Sequence, residues 1–443
     1  MLRNRAWVVA VGMLFLAANG AFAQAEEKAG GLDFGLSLGI GADSYYIDGQ
    51  YVTYQKITLS PDIAFGKFGI GLELTLHYTF TQTAGIEPVK TEGDWVPGPG
   101  QTVLDVYLPK FQYIRYGLKG EPLFVKLGSI EDGTLGNGFI MNNYDNTLFL
   151  PGRRIFGLAL DLDGALFHFP YLGLETFVGN VARFDVIASR LYVRPLAFLN
   201  TPIVKDLQVG GTFAMDREPG LYPTESPADL PPVFLYGADL RLPLLSAPAA
   251  SLAVFSDAAF RQKNGSAGVM VGLGGRLFGF LLYGAQARFL GEGFVPVYFD
   301  ATYDLFRQEK YAADPPAYTG WLGSLGFALF SDLLVFNLTV DGPFQGYRDP
   351  ASYLEWPHLK AQLTVGQGLV PNLSLEASYD KRSLGAKYGF FQDLVDPAYA
   401  VIQGRLNYSI GAAVLSLVYN ISKDPVTGDW KTHSGIESAI RFF

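Results

Sequence analysis

The sequence predicts an all-β fold in which about twenty antiparallel strands, within a range of 16 to 20, close into a single transmembrane up-and-down barrel. Three observations support it: strict alternation of apolar and polar residues, loop lengths that alternate along the chain, and no composition break over 443 residues. Alternation is clearest in GIGLELTLHYTFT (69–81), where Glu73, Thr75 and His77 share one face and leucines the other. A period of two is typical of a β-strand with one polar and one apolar face.

The chain begins with a predicted secretory signal peptide. Two arginines lie within the first five residues, an apolar run covers 6–18, and Ala21-Phe22-Ala23 forms a cleavage site. The run is shorter than the roughly 20 residues of a membrane-spanning helix. We therefore expect a signal peptide at 1–23 and an exported barrel at 24–443. The barrel folds without disulfides because the chain has no cysteine, and the net charge of −9 argues against a nucleic-acid partner.

Strands follow one another from residue 32 to the C-terminus. Alternation and turn residues place them near 32–41, 53–64, 68–81, 103–116, 122–130, 153–163, 171–179, 182–195, 205–215, 233–243, 250–260, 266–276, 279–290, 319–329, 332–341, 356–367, 372–382, 400–410, 413–422 and 434–443. Connections after even-numbered strands are mostly tight, as at 66–67 and 411–412. Those after odd-numbered strands are mostly long, as at 82–102 and 291–318. This parity predicts short periplasmic turns and long extracellular loops.

Two other fold classes fit less well. A soluble sandwich has the same alternation but no reason to sort its loops by parity, and twenty strands exceed the usual sheet. The apolar segment 267–287 has a Gly268-x-x-x-Gly272 spacing that resembles a membrane helix. Arg276 interrupts this segment and its many glycines disfavour a helix. Two strands that meet near Phe278 explain it more simply.

The polar strand faces are predicted to line a wet interior, and the apolar faces to contact lipid. The predicted lumen-facing residues are Glu73, His77, Lys126, Asp161, Asp163, Arg183, Asp185, Arg288, His358, Lys360, Glu376 and Arg405. With a turn centred near Gly368, Lys360 is expected to lie across from Glu376.

With these features the chain resembles the bacterial outer-membrane β-barrel proteins, in particular the porin-like channels. The resemblance covers the whole mature chain and lies in its pattern. It implies the outer membrane of a diderm bacterium, contact with outer-membrane lipid, and recognition of the C-terminal Phe443 by the barrel-assembly machinery. It also allows an oligomer. The stretch between the cleavage site and the first strand is too short for an N-terminal plug domain.

No motif predicts catalysis, a metal or a cofactor. Ser37 lies in a G-x-S-x-G pattern, but within a strand rather than at the strand-to-helix turn that a hydrolase needs. The four histidines lack metal-ligand spacing, and Asp161-x-Asp163-Gly164 lacks the later ligands of a calcium loop. We expect no catalytic residues, no metal site and no cofactor.

The predicted function is passive diffusion of small polar solutes through a water-filled lumen, since twenty strands enclose more space than side chains can fill. Two alternatives remain open. A transporter of hydrophobic substrates, of the fatty-acid type, would need an apolar cavity. A surface adhesin or binding protein would act through the long loops.

A pore constriction is predicted in the segment 131–154. Its glycines and Asn-Asn and Asp-Asn pairs permit compact turns, and its apolar residues could hold it against the inner wall. Glu131 and Asp132 at one end and Arg153 and Arg154 at the other would then set a transverse field. The other interpretation is an ordinary external loop whose charges are solvated at the rim.

Overall fold

The computed structural model describes residues 32–47, 50–80, 88–98, 101–150, 153–199, 201, 203–222, 229–344, 357–382, 384, 389–396, 400–423 and 430–442. The predicted signal peptide and Phe443 lie outside these residues.

Strands dominate the described part of the chain. They are β1 (Leu32–Ile47), β2 (Gln50–Phe65), β3 (Phe68–Leu72), β4 (Leu74–Tyr78), β5 (Phe111–Tyr116), β6 (Leu123–Gly128), β7 (Gly157–Asp163), β8 (Leu172–Val178), β9 (Val186–Val193), β10 (Gln208–Asp216), β11 (Val233–Ser246), β12 (Ala250–Arg261), β13 (Ser266–Leu277), β14 (Leu281–Leu290), β15 (Tyr318–Leu329), β16 (Leu334–Pro343), β17 (His358–Val370), β18 (Leu373–Lys381), β19 (Ala400–Ile410), β20 (Ala413–Lys423) and β21 (Trp430–Arg441).

The helices of the described ranges are short and lie in connections. They are the α-helices α1 (Val103–Tyr107), α2 (Arg307–Ala312) and α3 (Phe390–Val395), and the 3-10 helices Leu108–Lys110, Gly164–Phe167, Val204–Asp206, Gln262–Asn264 and Tyr303–Leu305. None of these helices has the length and apolar character needed to cross a membrane.

The sheet closes on itself. Each strand pairs antiparallel with its neighbours, and β1 pairs with β21 from Ser37↔Arg441 to Ile40↔Ser438. β3 and β4 both pair with β2 and are two halves of one crossing, which is interrupted at Glu73, where the backbone amide donates to the Lys110 carbonyl instead. The twenty-one strands therefore make twenty crossings. The predicted antiparallel barrel of about twenty strands is confirmed.

The two faces of the wall differ as the alternation predicts. In β13, Val269, Val271 and Leu273 are exposed, whereas Met270 between them is fully buried. Exposed large apolar side chains recur in this way around the barrel, for example at Leu325 and Ile436. In a closed barrel the exposed apolar face is the outer one, which is the arrangement of a barrel surrounded by lipid.

Three strand predictions need correction at their ends. β1 and β2 extend to Ile47 and Gln50, so the first hairpin is tight although it lies on the side of the long loops. The predicted strand 103–116 begins with helices and becomes a strand only at Phe111, because Thr102 caps α1 in a capping box. The predicted strand 182–195 begins with a turn and becomes β9 at Val186.

The expected pairing of Lys360 with Glu376 is wrong. Lys360 pairs with Asp380, and Glu376 pairs with Thr364. The hairpin turns at Pro371-Asn372 rather than at Gly368, with Asn372 in the left-handed region, and the ladder shifts register between Val365 and Val370. A displaced turn changes every partner along a hairpin while leaving each side chain on its own face.

Candidate functional site

Two long connections fold back into the barrel. We call residues 129–150 the first inner segment; it follows β6. Its tip contacts inward-facing side chains of the wall: the Gly136 amide donates to Glu175 of β8 at 2.9 Å, and the Asn137 side chain donates to Asp257 of β12 at 2.7 Å. Gly136 and Gly138 have positive φ angles, which suits a tight turn. The segment is thus inside the barrel rather than an external loop.

The second inner segment, residues 291–317, follows β14 and packs against the first. The Phe299 amide donates to the Ile140 carbonyl at 3.0 Å, and the Asn142 amide donates to the Phe299 carbonyl at 3.0 Å. Their aromatic side chains form one core, with the rings of Phe139 and Phe294 stacked at 5.5 Å. The largest hydrophobic core among the described residues therefore lies within the barrel, between these segments and one side of the wall.

A buried arginine fixes the second inner segment. Arg307 of α2 forms ion pairs with Asp185 at 2.7 Å, Asp216 at 3.3 Å and Asp304 at 2.7 Å, and its side chain has no exposure to solvent. Burial raises the pKa of Asp304, although the Arg307 guanidinium opposes the shift. Because one guanidinium contacts three carboxylates, this cluster joins the second inner segment to two neighbouring strands. Asp185 directly precedes β9, and Asp216 is the last residue of β10.

Two tyrosines connect both inner segments to this cluster, which we call the Arg307 cluster. The Tyr144 hydroxyl donates to Asp304 at 2.6 Å, and the Tyr303 hydroxyl donates to Asp216 at 2.7 Å. The Arg307 guanidinium also lies over the rings of Tyr222 and Tyr303, at 4.9 and 5.3 Å from their centres. Both inner segments are thus anchored at one point.

Other ion pairs hold the segments to the wall. Arg190 of β9 binds Asp239 of β11 through two hydrogen bonds of 2.9 and 2.6 Å and also binds Glu175, directly beneath Gly136. On the opposite side, Asp300 of the second inner segment binds Arg382 at 2.7 Å and Lys310. Breaking a buried pair of this kind leaves an uncompensated charge, so these contacts restrict the positions that the segments can take.

The four residues predicted to form the constriction are not brought together as two opposing charges. Arg154 binds Glu73 at 2.7 Å, and Arg153 lies over the ring of Tyr222. Asp132 lies 3.5 Å from Lys119 of the turn between β5 and β6. Glu131 is exposed, and the charges near its carboxylate include Lys126 of β6 and Glu376 of β18.

The predicted lumen-facing residues fall into three groups. Four lie in ion-pair or hydrogen-bond clusters on the wall: Glu73 with Arg154 and Gln112, His77 between Asp43 and Asp94, Arg288 with Asp341, and His358 between Asp341 and Asp380. Three lie at strand ends: Asp163 binds Arg194, Arg183 lies in the turn before β9 near Asp105, and Asp185 is buried beneath Arg307. The other five, Lys126, Asp161, Lys360, Glu376 and Arg405, are on strands and retain some exposure; of these, Arg405 forms an exposed ion pair with Glu437 at 3.2 Å.

Charged residues of β17 and β18 lie near the first inner segment. Lys360 is among the charges near Asp145, and Glu376 is among those near Glu131. Burial raises the pKa of the Asp145 carboxyl to about 6, although the backbone amide and hydroxyl of Thr147 both donate to it at 2.7 Å. A carboxyl group of the first inner segment thus lies within electrostatic range of the Lys360 amine on the wall.

Sequence reasoning did not identify Arg307, Tyr144 or Asp304. One signal was available: the segment 291–317 contains Phe294, Tyr298, Phe299, Tyr303 and Phe306, more aromatic surface than a loop in water would expose. Within the described residues, no group of three or more metal-ligating side chains is placed to hold a metal ion.

No protein-family model and no curated protein matches the chain. Similar solved structures include Pseudomonas aeruginosa OccK2 (OpdF) in complex with glucuronate, at 10% identity over 94% of this chain and 100% of that one, with a TM-score of 0.33. They also include Pseudomonas aeruginosa OpdK with vanillate (10% identity, 93% and 98% covered, TM-score 0.35) and a BenF-like porin from Pseudomonas fluorescens (8%, 93% and 98%, 0.35).

Proposed function

We propose that the protein is a water-filled channel of the bacterial outer membrane through which small polar solutes diffuse passively. One observation carries the proposal: although the inner segments also contact the wall at Arg382 and Val401, the inward amides of β16, β17, β19 and β20 stay partly exposed, namely Asn337, Gln362, Gln403 and Asn420. A lumen lined by amides, hydroxyls and charges favours polar solutes. It disfavours the hydrophobic-substrate alternative, which requires an apolar cavity.

The constriction of this channel lies between the first inner segment and the wall. The carboxyl groups of Glu131 and Asp145 lie on the segment, and the amines of Lys126 and Lys360 lie on the strands. Desolvation inside the barrel and the nearby Asp145 raise the pKa of Glu131 to about 8, so Asp145 carries the negative charge near neutral pH. Opposed charges across a narrow passage orient dipolar solutes and select among ions. In this proposal Glu131 stays at the constriction as a polar group, Asp145 supplies the acidic side, and the two lysines replace Arg153 and Arg154 as the basic side.

Reconstitution tests the channel directly. Folded protein, verified by its β-sheet circular dichroism, is expected to give single-channel current in planar bilayers and swelling of liposomes in small polar solutes. Deleting 136–148, the tip of the first inner segment, should raise the conductance because it removes the constriction. Folded protein without any current would refute the channel and favour a surface-binding protein that acts through its long loops.

A further inference from the structure

A row of uncharged polar side chains crosses five adjacent strands. Asn337 of β16 pairs with Gln362 of β17, Gln362 with Ser378 of β18, Ser378 with Gln403 of β19, and Gln403 with Asn420 of β20. We call these five residues the amide strip. On each of β16, β17, β18 and β19, the strip residue is separated by an even number of positions from a charged residue that faces inward. These charged residues are Asp341, His358, Asp380 and Arg405, respectively. Since the side-chain period is two, the strip faces the lumen.

The strip retains unused hydrogen-bonding capacity. All five side chains are half-buried, and within the described residues the only side-chain hydrogen bond in the strip is from Ser378 to Gln403, at 3.3 Å. Asn337, Gln362 and Asn420 each present an amide that can donate and accept. A solute in the lumen can therefore meet donors and acceptors on successive strands.

The rows on either side of the strip carry compensated charges. Toward the long loops, Lys360 pairs in register with Asp380, and toward the short turns, Glu376 pairs with Arg405. Opposite charges placed side by side produce little net field over the residues between them. An ionic solute therefore gains little at the strip itself, whereas a neutral hydrogen-bonding solute gains at each amide.

The dimensions suit an extended solute. Neighbouring strands lie about 4.8 Å apart, so five strands give a strip about 19 Å long. Because barrel strands are tilted by about 40°, a row perpendicular to them climbs along the barrel axis. On β17 the strip residue is the next inward-facing residue after Lys360 in the direction of the short turns. A solute that enters from the side of the long loops therefore reaches the strip after it has passed the constriction.

We propose that the amide strip binds neutral polyhydroxylated solutes, that is, saccharides and polyols. The inference rests on the proposed channel and names its substrate class. Each hydroxyl group both donates and accepts, as each side-chain amide does, so consecutive hydroxyls can be satisfied by consecutive strands. Binding of this kind is weak because every contact replaces one with water.

The test is block of ion current by sucrose in planar bilayers. Sucrose is expected to reduce the current of the wild-type channel in a saturable manner. A polyethylene glycol dimethyl ether of similar size, whose oxygens accept but do not donate hydrogen bonds, should reduce it only by exclusion. Folded protein without current would overturn the proposed function and with it this inference. Current that sucrose reduces no more than the polymer does would overturn the inference alone.

Variants locate the binding. Gln362→Met combined with Asn420→Leu keeps side-chain size but removes both amides, and the half-blocking sucrose concentration should rise about tenfold. The matched control is Gln208→Met, which removes an inward-facing amide of β10 outside the strip and should leave block unchanged. Equal effects of the double variant and the control would contradict the assignment. Should the double variant fail to fold, Gln403→Met provides the same comparison.

Discussion

Replacing Arg307 by leucine tests how the inner segments are held. The guanidinium is the only cation in direct contact with Asp185, Asp216 and Asp304 among the described residues, and all of these side chains are almost completely buried. Arg307→Leu keeps the aliphatic volume but leaves three carboxylates together without their counter-charge. The perturbation acts on the docking of the segments and leaves the hydrogen-bonded wall intact.

The magnitude follows from the burial of the cluster. Removing one partner of a buried ion pair costs about 3–5 kcal/mol, because the remaining charge stays desolvated. Each 1.4 kcal/mol is a factor of ten, so the undocked population should rise about a hundredfold or more. A second substitution, Asp185→Asn, removes one of the uncompensated charges and should restore part of the loss. Acidification should do the same, because the pKa of Asp304 is already raised by burial.

Two assays report undocking. Limited proteolysis in detergent should cleave within 291–317 in Arg307→Leu but not in the wild type. Single-channel recordings should show larger and noisier currents, because the segment no longer narrows the lumen. The matched control is Arg217→Leu, next to Asp216 but exposed, with one long hydrogen bond of 3.4 Å to the Phe184 carbonyl; it should behave as the wild type.

Unchanged proteolysis and conductance in Arg307→Leu would refute this account of docking. The apolar core around Phe139 and Phe294 would then suffice to hold the segments, and the Arg307 cluster would be dispensable. Failure of the protein to form a barrel at all would show instead that the cluster is needed for folding of the wall.

Three further predictions concern other parts of the molecule. Burial raises the pKa of Asp145 to about 6, so the docked state binds this proton more tightly and docking of the first inner segment should weaken as pH rises from about 4 to 6; Asp145→Asn should reduce that dependence of proteolysis. Leu325→Arg puts a charge on the lipid face and should cost about 2–4 kcal/mol of folding stability in bilayers, far more than the inward Ser324→Arg, and equal losses would refute the face assignment. An impermeant thiol reagent should label Gln262→Cys but not Ala412→Cys on whole cells, since no native cysteine competes, and the reverse would invert the orientation.

The wall could be predicted from the sequence because its signal is local. Alternation with a period of two depends only on neighbouring residues, and all twenty predicted strands contain a crossing of the barrel. The errors occur where another local signal competes, as with the Thr102 capping box before β5, or where one turn position decides a register, as at Pro371-Asn372. Neither error moves a side chain to the other face of the wall.

The interior could be predicted only in part, because it is determined by contacts between distant residues. The composition of 131–154 indicated that this segment could fold inward, and it does, but its arginines bind Glu73 and Tyr222 instead of facing its acids. Tyr144 reaches Asp304 across 160 positions of sequence. No periodicity encodes such a contact, and the charge of Arg307 alone does not tell which carboxylates will surround it.

The division between wall and interior has a physical reason. The outer face needs only apolar residues of any shape, because fluid lipid adapts to the surface that it meets. The backbone polar groups of the wall are satisfied by hydrogen bonds between neighbouring strands. The inner segments, by contrast, must be held in one position if the passage is to have a fixed width. Apolar contacts alone do not define that position, because they are non-directional. Clusters such as Arg307 with three aspartates and Arg190 with Asp239 supply the direction that apolar packing lacks. The amide strip takes no part in these clusters, so the residues that hold the inner segments in place and those that meet the solute are different sets.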